Sequence, residues 1–94
     1  MGEDKSDFPV DIFQSDSRMR VIAELPDVGG KNIRIDLNED ILVIFASGEN
    51  INYYKNIKLP FPAENTIGKL YNSGVLEIIL KKKEGENGSG TVPR

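Results

Sequence analysis

Turn-forming clusters break this chain so often that no helix of average length fits between them. Pro26-Asp27-Val28-Gly29-Gly30, Asn38-Glu39-Asp40, Ser47-Gly48-Glu49-Asn50 and Pro60-Phe61-Pro62 are the main interruptions. Proline lacks the ladder donor, and glycine reaches backbone angles other residues avoid. The runs between these clusters alternate with a period of two, the signature of half-buried strands. In Ser17–Leu25, Met19, Val21, Ala23 and Leu25 share one face and Arg18, Arg20 and Glu24 the other. Ile33, Ile35 and Leu37 alternate with Asn32, Arg34 and Asp36. The 38–40 turn then leads into Ile41–Ser47, apolar almost throughout, which predicts a strand buried on both faces. Phe8–Phe13 reads as a first strand. In Tyr53–Leu59, Lys55, Ile57 and Leu59 oppose Tyr54, Asn56 and Lys58. In Gly74–Lys81, Leu76, Ile78 and Leu80 oppose Val75, Glu77 and Ile79. Asn65–Leu70 has room for one helical turn, weakened by Gly68. The pattern predicts an all-β fold, an antiparallel immunoglobulin-like β-sandwich of six to eight short strands.

The apolar residues concentrate in one stretch. Residues 1–7 form a short polar lead, residues 8–83 the folded domain, and residues 84–94 a flexible tail rich in Gly, Ser and Glu. A chain of 94 residues makes one domain with one core. A domain of this size hides only about 60–65% of its unfolded surface, so self-association would help it.

What the chain lacks removes most chemistry. There is no cysteine and no histidine. Disulfides, thiol metal sites and imidazole-based catalysis are therefore excluded within the chain. Asp36, Glu39 and Asp40 are the densest acidic set, but they lack the cleft of a two-carboxylate enzyme and the ligand spacing of a calcium loop. They read as a solvated turn. Gly29-Gly30 fits no phosphate-binding fingerprint. No cofactor, metal or small-molecule substrate is expected, and the protein reads as a non-enzyme. The net charge is −3, with both signs interspersed, so nucleic acid is not an expected partner. Lys81-Lys82-Lys83 is the one basic run and reads as a solvated strand end. Asn87-Gly88-Ser89 is a formal glycosylation sequon without further support. No segment approaches the ~20 apolar residues of a membrane helix, and the acidic start is unlike a signal peptide. A cytoplasmic location and no membrane partner are the expectation.

Three ordered segments resemble the small heat-shock proteins. Val21-Ile22-Ala23-Glu24-Leu25-Pro26-Asp27-Val28 resembles a family strand that ends in a Leu-Pro turn. Ile33 to Ala46 resembles its paired strands with a tight turn and an L-x-I-x-A ending. Ile57-Lys58-Leu59-Pro60, with Gly74-Val75-Leu76 beginning fourteen residues after Pro60, resembles its closing Gly-Val-Leu signature. Together they span about residues 9–82. Tyr71 matches an aromatic position of the signature. Lys69 stands where the family usually has alanine, and Ser73 where it usually has asparagine. The short connection from Ala46 to Tyr53 leaves no room for the exchanged strand of bacterial and plant members. The ends carry neither a long N-terminal arm nor an I-x-I tail. That reads either as an excised core or as a member that builds no large shell.

The resemblance implies an α-crystallin domain and an ATP-independent chaperone that holds exposed apolar segments of partly unfolded proteins. The alternative is an adaptor or co-chaperone domain that docks one specific folded partner. The resemblance also implies a groove for a peptide or tail between Ile33–Leu37 and Val75–Leu80, lined by Ile33, Ile35, Val75, Glu77 and Ile79. The plainer reading makes about half of these ordinary core. Because Val75 and Ile79 flank Glu77, their face is the better candidate for an exposed strip. Tyr53, Tyr54, Lys55 and Ile57 would form the edge of a weak homodimer. Alternatively, the two tyrosines cover the rim and the lysines guard an open edge.

Overall fold

The structure, a computed structural model, describes residues 3–83. The tail expected at 84–94 lies outside the described residues. Eight strands follow in order: β1 (Glu3–Lys5), β2 (Val10–Gln14), β3 (Arg18–Glu24), β4 (Val28–Asn38), β5 (Ile41–Gly48), β6 (Ile51–Lys58), β7 (Ala63–Asn72) and β8 (Val75–Lys82). They form two four-stranded sheets, β1-β6-β5-β4 and β2-β3-β8-β7. All neighbours are antiparallel except β1, which runs parallel to β6. This is the all-β sandwich the alternation predicts.

The core lies between the sheets. Met19, Val21, Ala23 and Leu25 from one sheet, with Leu76, Ile78 and Leu80 beside them, meet Leu42, Ile44 and Ala46 from the other. Among the described residues no charged side chain is buried, and the hydroxyl of buried Tyr53 donates to the Pro26 carbonyl, so the interior holds no uncompensated charge.

Three local expectations are corrected. Asn65–Leu70 is part of β7, not a helical turn. Register shifts between Ala63 and Asn65 and between Thr66 and Gly68 accommodate the extra residues as bulges. Ile41–Ser47 is buried on one face only. Phe45 remains 40% exposed because, among the described residues, no further layer packs on the outer surface of its sheet. The first strand starts at Val10, while Phe8 turns into the core and meets Tyr53 edge to face with ring centroids 5.6 Å apart. The polar lead also contributes β1.

One backbone bond sets the phase of the first sheet. The Leu59 amide donates to the Asp40 carbonyl at 2.7 Å, continuing the β5–β6 register in which Leu42 faces Ile57 and Ile44 faces Lys55. Even-numbered β5 residues therefore bond to β6 and odd-numbered ones to β4. Consequently Ile33, Ile35 and Leu37 turn their backbone groups to the open side of β4. Asn56 and Lys58 do the same on β6, beyond the reach of β1.

Candidate functional site

The two open sides of the sandwich and its outer faces are where another protein chain could bind. β4 and β7 are the edge strands at one side, and they approach each other closely enough to define a cleft. Ile33, Ile35 and Leu37 point inward along β4, opposite Ala46, Ile44 and Leu42 of β5. Ile33 is buried and the other two are half-buried. From β7, Lys69 and Tyr71 face inward, opposite Ile78 and Leu76. The Lys69 Nζ donates across the cleft to the Ile33 carbonyl at 3.4 Å.

The residues expected to share one groove divide between two surfaces. β8 lies inside its sheet, between β3 and β7, so it does not flank β4. Ile33 and Ile35 face the cleft side of the core. Val75, Glu77 and Ile79 alternate with fully buried Leu76, Ile78 and Leu80 and so face outward from the opposite sheet. Strand order within a sheet, not alternation along a strand, decides this.

That outer face is mixed. Phe13 is 52%, Leu70 60% and Val75 40% exposed, with Ile22 and Ile79 half-buried beside them. Arg20 and Glu77 cross the face as an ion pair at 3.1 Å. The Arg20 guanidinium also lies over the Phe13 ring, 5.7 Å from its centroid. A shallow depression of about 350 Å³ opens among Phe13, Arg18, Arg20 and Ile79. Opposite Ile79 stands Gly68, which leaves the flank of the isoleucine bare. Phe13 and Leu70 were not singled out from sequence. Leu70 lay in the stretch misread as a helical turn, and Phe13 stands in β2 on the outward phase, opposite Arg20.

The four residues expected at a dimer edge have different fates. Tyr53 and Ile57 are buried. The Tyr53 hydroxyl donates to the Pro26 carbonyl at 3.0 Å. Lys55 donates to the Phe8 carbonyl at 3.2 Å and lies over its ring. Tyr54 is exposed and faces Phe45 across the strand pair. β1 covers the edge of β6 as far as Tyr53.

The acidic turn behaves as a solvated one. Asp40 pairs with Lys58 at 3.1 Å and Glu39 with Lys83 at 3.3 Å. Among the described residues no cluster of acidic side chains could hold a metal ion. Nor does any helix there have the length and apolarity to cross a membrane.

No model of a protein family and no curated protein matches the sequence. Solved structures of small heat-shock proteins share the fold. The Del-C4 mutant of hsp14.1 from Sulfolobus superposes with a TM-score of 0.72 at 21% identity, covering 82% of this chain and 76% of that one. Heat shock protein 16.0 from Schizosaccharomyces pombe gives 0.71 at 14% identity, covering 99% and 76%. A small heat-shock protein from Xylella fastidiosa gives 0.69 at 20% identity, covering 93% and 91%. At such identities the likeness establishes the fold: the chain has the α-crystallin-domain sandwich.

Proposed function

We propose that the protein is an ATP-independent holdase of the small heat-shock type, acting in the cytoplasm on partly unfolded proteins. The observation that carries this reading is the outward apolar strip of Leu70, Val75 and Phe13 on an α-crystallin fold. Scattered exposed apolar residues are normal on any protein. Three large ones on a single sheet face, with Ile22 and Ile79 half-buried among them, suit contact with unfolded apolar segments. The β4–β7 cleft is a second site. Its open backbone edge and its side chains spaced two residues apart suit an extended segment added as a strand. A chain without histidine or cysteine fits binding better than catalysis.

The Arg20–Glu77 pair in the middle of the strip favours a second reading, an adaptor for one folded partner, because fixed charges confer specificity more than affinity. Light scattering of several unrelated aggregating clients separates the two. Broad suppression, reduced several-fold by Leu70→Ser with Val75→Ser and unchanged by a surface control such as Glu64→Gln, is the holdase result. No suppression of any client, with one partner bound tightly, is the adaptor result.

A further inference from the structure

We infer that Lys69 makes the β4–β7 cleft selective for an extended segment that carries a carboxylate beside an apolar-x-apolar pair. This rests on the reading above that the cleft accepts extended segments. The Ile33 carbonyl belongs to the open edge of β4, where an added strand would place its own amides. At present that carbonyl accepts from the Lys69 ammonium, at 3.4 Å. The same lysine is fixed in register opposite Ile78, a fully buried residue, so its stem starts at the margin of the core and its charge crosses the cleft mouth.

An incoming strand takes the Ile33 carbonyl and displaces the ammonium. Other lysines have acidic partners: Lys58 has Asp40, Lys81 has Glu64 and Lys83 has Glu39, while Lys82 lies over the Phe61 ring. Among the described residues no carboxylate lies within ion-pair distance of Lys69. The displaced charge must return to water or find an anion on the incoming segment. With a neutral segment the Ile33 carbonyl exchanges a charge-assisted bond for a neutral amide bond and the ammonium returns to water, while an acidic segment also offers that ammonium a charge pair. Lys69 thus acts as a strap against neutral segments and an anchor for acidic ones.

Two labelled peptides test this. They differ only in having glutamate or glutamine on both sides of an Ile-Thr-Ile centre, and binding to the full chain is read by fluorescence anisotropy. The expected result is a preference for the glutamate peptide of about two- to fivefold, the range of an exposed charge pair, shrinking as salt rises. In Lys69→Ala the ratio falls to about one and the glutamine peptide binds more tightly than to the wild type. In Lys69→Glu the glutamate peptide becomes the weaker of the two. If both peptides bind and the ratio is the same in all three proteins, the role of Lys69 is overturned while the cleft stands. If neither peptide binds any of them, the cleft itself is not a segment site and both readings fall.

Discussion

Tyr53 and Tyr71, from opposite sheets, donate their hydroxyls to adjacent carbonyls of one crossover. Tyr53 takes that of Pro26 and Tyr71 that of Leu25. The chain leaves one sheet at Glu24 and enters the other at Val28, so this pair ties the passage between sheets to both of them. Asp27 sits there at a φ of 68°, a conformation that needs outside support in a residue other than glycine. The Leu25 amide completes the clamp by donating to the Gly74 carbonyl at 2.8 Å.

Removing either hydroxyl leaves a partly buried carbonyl without its donor. Tyr53→Phe and Tyr71→Phe should each cost about 1–1.5 kcal/mol, a fall of roughly 4–8 °C per kcal/mol in a domain of this size. Because both hold one short segment, the double variant should depart from additivity by at least about 0.5 kcal/mol. Urea unfolding of the four proteins measures this. Additive losses would mean the two carbonyls are held independently.

The next prediction concerns two glycines that differ in their surroundings. A Cβ built on Gly48 would lie 2.4 Å from the Asp27 carbonyl oxygen, a backbone atom of the same crossover, whereas one built on Gly68 would meet Ile79 at 3.5 Å, an ordinary contact. Gly48→Ala should therefore destabilise by about 1–3 kcal/mol as backbone is forced apart. Gly68→Ala should be neutral or stabilising by up to about 1 kcal/mol, since it restricts the unfolded chain. Thermal melts of the two variants rank them. Equal losses would overturn the steric argument.

Ser73 and Gly74 form the two-residue loop between β7 and β8, closed by Asn72 facing Val75. Both have positive φ, 54° and 83°, as a mirror-image hairpin turn requires. Serine is a poor occupant of that region and asparagine a better one. Ser73→Asn should stabilise by about 0.5 kcal/mol, and Gly74→Ala should cost about 1–2 kcal/mol from the left-handed penalty. Denaturant midpoints check both signs. A stabilising Gly74→Ala would contradict the turn assignment.

The fold was legible where burial follows alternation. Met19, Val21, Ala23 and Leu25, and Leu76, Ile78 and Leu80, stand in the core as their spacing predicts. Burial on two faces was overread at Ile41–Ser47, because an apolar run does not reveal whether a second layer covers it. β7 was obscured by its bulges, which shift the phase of alternation within ten residues. β1 (Glu3–Lys5) has no apolar residue to mark it. The cleft was misplaced for a different reason. Which strands become edges depends on lateral order, and nothing in the alternation of β8 distinguishes an interior strand from an edge. Lys69 was visible only as a departure from alanine. Its role needs the bond to Ile33.

The last prediction concerns β6. The ladder phase leaves the backbone groups of Asn56 and Lys58 on the outer edge, past the end of β1, so a second copy could pair there antiparallel. Lys55 and Lys58 flank this stretch and would weaken such a pair through like-charge contact unless each finds an acid; Lys58 already has Asp40 at 3.1 Å. The expected association is therefore weak and appears as a mass that rises with protein concentration in light scattering. Asn56→Pro removes an edge donor without removing a bond to β5, since Asn56 faces Val43 in the non-bonded phase. Proline is tolerated at such edge positions and blocks strand addition. That variant should stay monomeric at every concentration while its melting temperature stays within a few degrees of the wild type, about 0.5 kcal/mol. A wild type that is strictly monomeric at high concentration would exclude the β6 edge as a dimer interface. A variant that associates as strongly as the wild type would place the contact elsewhere, with the exposed Phe45 and Tyr54 face as the next surface to mutate.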